Sequence, residues 1–128
     1  VTRAAALALL AVGAGACVAA PAMEPTRLPE GERAYQKCYA CHSLEGPDPR
    51  TQGPSLKGVL GRQVAAEPGF AYSPAMRDYA TRQRAWTREA LDAFIADPQA
   101  VVPHNEMGFF GIPDAEERRA LIDYLARS

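Results

Sequence analysis

Apolar side chains recur at helical spacing in four short stretches of this 128-residue chain, and long runs rich in glycine and proline separate them. The first pattern starts at Gly31-Glu32 and runs through Lys37, with Ala34, Tyr35 and Cys38 on one side. Ser73-Pro74 reads as an N-cap followed by proline at the first helical position, opening a short helix through Met76 and Tyr79. After Trp86, Thr87 caps a third helix whose Leu91, Phe94 and Ile95 fall at i, i+3 and i+4, and Asp97-Pro98 ends it. Asp114-Ala115-Glu116-Glu117 resembles a capping box, and behind it Leu121, Tyr124 and Leu125 line one face of a terminal helix. No useful run alternates apolar with polar, so no strand is expected. Two connecting regions, residues 45–62 and 98–113, hold Pro47, Pro49, Pro54, Pro98, Pro103 and Pro113 with several glycines, and both are expected to be irregular. The predicted fold is all-α, a few short helices joined by long loops, an arrangement that needs the loops to pack on something besides regular structure.

Residues 1–22 stand apart from this pattern. Arg3 precedes an apolar run from Ala4 to Val12, and Ala20-Pro21-Ala22 offers an Ala-x-Ala cleavage site. These are the three regions of a secretory signal, which predicts cleavage after Ala22, export to the periplasm and a single domain over residues 23–128. Two alternatives stay open: an uncleaved membrane anchor through residues 1–22, and lipidation at Cys17, whose preceding Ala14-Gly15-Ala16 lacks the usual large aliphatic residue. Residues 23–29 form a polar, proline-bearing lead-in.

Composition adds little to the fold and more to the partners. The chain is 48% hydrophobic and 23% charged with a formal charge of −1, ordinary for a folded domain and without the basic excess of a nucleic-acid binder. Without residues 1–22 the side chains carry 13 bases and 15 acids, and the only lysines are Lys37 and Lys57. A domain this small is marginal unless a disulfide, a metal or a large apolar cofactor supplements its core.

The chemistry is concentrated in Cys38-Tyr39-Ala40-Cys41-His42. Cys-x-x-Cys-His is the pattern of covalent c-type haem attachment. Residues at i and i+3 share a helical face, so both thiols can reach the two vinyl groups on one edge of a porphyrin. A structural zinc site would want two further ligands at close spacing, and only Cys17 and His104 remain. A thioredoxin-like pair would want a βαβ setting, which the flanks lack.

With Gly53-Pro54-Ser55-Leu56-Lys57-Gly58, Gly61-Arg62, Gly69-Phe70-Ala71-Tyr72-Ser73, Trp86-Thr87, Val102-Pro103 and Met107-Gly108-Phe109 following in that order, the chain from about residue 30 to 127 resembles a class I monohaem cytochrome c. The resemblance implies the cytochrome c fold around one haem c, bound through thioethers to Cys38 and Cys41. It implies His42 and Met107 as iron ligands, with the Pro54 carbonyl accepting the other ring N–H of His42. Arg62, Tyr72 and Trp86 would then lie near the propionates, Phe109 beside the cofactor, and Gly31 and Tyr35 against the terminal helix.

Physical reasons stand behind these assignments. A ligating imidazole needs an acceptor that fixes its tautomer, and proline can present a carbonyl from a rigid backbone. A thioether is a soft, neutral ligand that favours ferrous iron. Met76, on a helix, is the rival to Met107, and His104 would give a bis-histidine site; the Pro103 and Phe109 context favours Met107. Three departures from the family are visible: Phe94 where a tyrosine usually lies near the Met sulfur, Glu106 in place of a lysine, and arginine in place of most lysines. The expected function is non-enzymatic one-electron transfer with membrane cytochrome complexes, oxidases or periplasmic dehydrogenases, with transient membrane-surface encounters. Docking is expected through apolar contacts of Tyr39, Gly108 and Phe109, steered weakly by charge. The alternatives are a subunit of a periplasmic oxidoreductase, a haem peroxidase, or a gas-binding module with a labile Met107.

Overall fold

The computed structural model describes residues 28–128, and the expectations for the leader, for Cys17 and for residues 23–27 lie outside them. Five helices make up the regular structure: α1 (Glu30–Tyr35), α2 (Pro74–Arg82), α3 (Arg88–Ala96), α4 (Pro98–Val101) and α5 (Ala115–Leu125). Among the described residues the only β-type pairing is an isolated bridge between Gln63 and Ala85.

Local chemistry explains where the helices start. The side chains of Ser73, Thr87 and Asp114 accept hydrogen bonds from the N–H groups of Met76, Ala90 and Glu117, each satisfying a first-turn donor that has no partner inside the helix. Helix α4 corrects the expectation of irregular backbone throughout 98–113. Asp97 ends α3 and also caps α4, accepting from Ala100 N–H, while Pro98 occupies the first helical position, where its missing N–H costs nothing. The first helix is also shorter than expected. It stops at Tyr35, and the cysteine motif continues as successive turns closed by the Cys41 and His42 amides on the Cys38 carbonyl.

Packing joins the two ends of the chain. Ala34, Leu121, Ile122 and Leu125 are almost wholly buried, and the rings of Tyr35 and Tyr124 lie 5.7 Å apart. Gly31 permits the close crossing of α1 and α5: a Cβ there would overlap the Ala120 carbonyl and lie 2.7 Å from Tyr124 Cβ. Gly31→Ala is accordingly expected to cost about 1–3 kcal/mol of stability in the haem-loaded protein, read from denaturant unfolding. A midpoint unchanged from wild type would show that the helices can separate freely. Arg118–Asp92 and Arg88–Asp123 ion pairs, both 2.7 Å, cross between α3 and α5. The second is exposed on both sides and orients the helices more than it drives packing, whereas the Arg118 side chain is largely buried and also donates to the Ile112 and Pro113 carbonyls. Around this core the half-buried Leu44, Leu56, Leu60, Met76, Ile95, Met107 and Phe109 form a second layer, most of it contributed by loops.

Candidate functional site

The predicted site residues fall into two groups. The first gathers around the cysteine motif. Tyr35, at the end of α1, donates its hydroxyl to the His42 carbonyl at 2.7 Å, which ties the motif to the helix before it. The loop 53–56 is fastened alongside: Gly53 N–H donates to Cys41 O, and Leu56 N–H to Ser43 O, each at 2.8 Å. This brings the Pro54 carbonyl within 2.7 Å of His42 Nδ1, where the ring N–H donates to it and leaves Nε2 as the free lone pair. Gly53 is packed so closely on the imidazole that a Cβ would lie 2.6 Å from Nδ1 and closer still to Cε1. Burial pushes the His42 pKa below its ordinary value, against the opposing pull of the Pro54 hydrogen bond, which favours the neutral imidazole that a metal ligand requires.

Cys38 and Cys41 are both half-buried and form no disulfide with each other. Burial pushes the Cys38 thiol up to about 11, with nearby Lys37 pulling the other way. That is the reverse of a redox-active Cys-x-x-Cys pair, whose leading thiol is held low.

Arg62 links this group to Tyr72 and Trp86. Its Nη2 donates to the Ser55 carbonyl at 2.7 Å, and its backbone carbonyl accepts from Trp86 N–H at 2.9 Å. Trp86 itself is buried between Tyr79 and Phe94, at ring distances of 5.9 and 5.1 Å. Glu67, a buried carboxylate that sequence reasoning did not single out, sits in the middle. It accepts Ser55 N–H at 2.8 Å and faces Arg62 Nη1 at 3.6 Å, while its own N–H donates to Tyr72 Oη at 3.2 Å. Its bond to Ser55 spans twelve residues, so no local pattern announces it. Arg62 Nε is buried with no partner among the described residues.

Met107 and Phe109 form the second group, on the loop after α4. Met107 N–H donates to Asn105 Oδ1 at 2.9 Å, Phe109 N–H to Met107 O at 2.8 Å, and Ile112 N–H to the Ile95 carbonyl of α3 at 2.9 Å. No hydrogen bond among the described residues joins this loop to the cysteine motif. Met76 packs half-buried on the core from α2, and His104 is an exposed turn residue. Phe109 is half-buried in the loop layer, whereas Phe110 beside it is fully exposed.

This donor set suits a covalently held haem. It supplies two half-buried thiols three residues apart, a histidine with one nitrogen engaged and one free, a soft thioether on a separate loop, and a buried guanidinium Nε–H without a partner among the described residues. Comparison with known proteins agrees. The cytochrome c family, described as "Cytochrome c", matches residues 28–128. Over 96 residues the chain is 42% identical to the cytochrome c-type cyt cy of Rhodobacter capsulatus, covering 74% of this chain and 46% of that protein. It is 35% identical to cytochrome c2 of Agrobacterium tumefaciens, covering 75% and 86%. Cytochrome cH from Methylobacterium extorquens superimposes with a TM-score of 0.69 at 34% identity, covering 77% of this chain and 96% of that one.

The fold is therefore the all-helical cytochrome c fold, and the protein is an electron carrier rather than an enzyme. The chain belongs to the cytochrome c family. It spans less than half the length of the Rhodobacter relative. Among the described residues no helix is long and apolar enough to cross a membrane.

Proposed function

We propose that this chain carries one electron at a time on a single haem c, tethered by Cys38 and Cys41 and ligated by His42 and Met107, between redox proteins of the periplasm and its membrane. The observation that carries the reading is the 2.7 Å bond from His42 Nδ1–H to the Pro54 carbonyl. It fixes the tautomer, aims Nε2 and raises the ligand's basicity. Bound there, the haem supplies an iron that alternates between ferric and ferrous states.

The chain's own residues do the rest. Gly53 and Pro54 hold the imidazole from one side, and Tyr35 and the Cys41 carbonyl fasten the turn that bears it. Arg62 would offer its buried Nε–H to a propionate, with Tyr72 held nearby through Glu67 and Trp86 filling the apolar wall. With both His42 and Met107 bound, the iron would have no position left for peroxide or oxygen, which would separate a carrier from a peroxidase or a gas-binding module.

Electron exchange with membrane cytochrome complexes, oxidases or periplasmic dehydrogenases then needs only a transient contact. Tyr39 and Phe110, the exposed aromatics, are the side chains suited to it, and the small acidic balance implies weak steering. Potentiometric titration of the haem-loaded protein tests the reading. We expect a reversible one-electron transition and no turnover of hydrogen peroxide. Rapid peroxide reduction would overturn it in favour of an enzyme.

A further inference from the structure

The loop that bears Met107 is organised by one side chain, Asn105. It is a buried residue in a loop of exposed neighbours, Pro103, His104 and Glu106. Its Nδ2 donates to two carbonyls, Pro98 at 3.0 Å and Val102 at 2.8 Å, and its Oδ1 accepts Met107 N–H at 2.9 Å. Its backbone is used as fully: N–H donates to Val102 O at 3.1 Å, and its carbonyl accepts Gln99 Nε2 at 3.2 Å. Gln99 Oε1 accepts the N–H of His104, which sits in the left-handed region at φ 64°. A non-glycine residue persists there only where its surroundings dictate the turn.

One end of the Asn105 amide thus grips α4, and the other holds the backbone of Met107. An amide is the side chain that offers two donors and an acceptor at once. Aspartate would turn an oxygen toward the Pro98 and Val102 carbonyls, and alanine would remove one donor from each of them, leaving only the backbone N–H groups of Val102 and Asn105, and would leave the Met107 N–H without its acceptor.

We propose that Asn105 is the positioning residue that keeps the Met107 loop closed, and so sets how often the sulfur leaves the iron. This rests on the reading of Met107 as distal ligand. The bonds act on the loop's backbone, so Asn105 controls the opening equilibrium without touching the cofactor.

Imidazole binding to the ferric, haem-loaded protein tests it. At saturating imidazole the observed rate becomes the rate of loop opening. Asn105→Ala and Asn105→Asp are expected to raise that limiting rate by about tenfold or more, the effect of losing one or two buried hydrogen bonds. Leu121→Ala, at the α1–α5 contact, serves as a control that lowers global stability and should leave the rate within about twofold. Rates unchanged in both Asn105 variants, or raised as much by Leu121→Ala, would overturn the proposal while leaving Met107 as ligand. Binding in the wild type that never saturates, matched by Met107→Ala, would reject the ligand reading and the proposal with it. Should the Asn105 variants not fold, hydrogen exchange of the Met107 amide in the wild type decides. Exchange no faster than the imidazole-limited opening rate supports the latch, and faster exchange refutes it.

Discussion

Replacing Cys38 and Cys41 together by alanine is expected to yield a chain that carries no covalent haem and has no cooperative fold. Ordering a domain of about 100 residues opposes folding by on the order of 100–200 kcal/mol, and net stabilities are only about 5–15 kcal/mol, so a modest loss of apolar contact is decisive. The buried apolar core of the described residues comprises fourteen side chains, from Ala34, Val59 and Val64 to Trp86, Phe94, Ile112 and Leu121. The layer around it, Leu44, Leu56, Leu60, Met76, Met107 and Phe109, is only half-buried by protein. Each such side chain contributes up to about 1.5–3 kcal/mol when fully covered, and a porphyrin is the cover that the donor set implies. Circular dichroism during thermal melting is the check. A sharp, cooperative transition in the double variant would show that the polypeptide folds by itself.

Met107→Ala is expected to leave a folded, haem-bearing protein with a lower reduction potential and an iron open to added ligands. The thioethers and His42 still hold the group, while the soft donor that favours ferrous iron is gone. The shift should be a substantial share of the roughly 0.8 V range over which axial ligands set haem potentials. Met76→Ala, by contrast, removes a half-buried packing side chain of α2 and should cost about 2–3 kcal/mol of stability with little change in potential. Redox titration of the two variants side by side separates them. A fall with Met76→Ala alone would place the distal ligand on α2.

What was legible in the sequence follows the range of the interactions. Ser73, Thr87 and Asp114 cap helices through bonds that span three residues, so their roles are visible in the local pattern. Asp97-Pro98 looks in the local pattern like a stop, although an acceptor followed by proline is equally a start, and here it is both. The crossing of α1 and α5 at Gly31 became legible through the family resemblance, because residues so far apart in the chain share no local signal. Glu67 and Asn105 stayed hidden for the same reason. Each is a polar residue in irregular backbone, and only the folded chain shows that it is buried and gripped from several sides. The distinction between Phe109 and Phe110 also needed the fold, since an irregular loop has no period from which to decide which ring faces in.

The central claim, an iron held by His42 and Met107 in an electron carrier, is tested most directly by the near-infrared absorption of the oxidised, haem-loaded protein. A weak charge-transfer band from methionine bound to ferric iron is the expected result, present in the wild type and in Met76→Ala and abolished in Met107→Ala. A high-spin spectrum without that band in the wild type, or a band that survives Met107→Ala, would contradict the account.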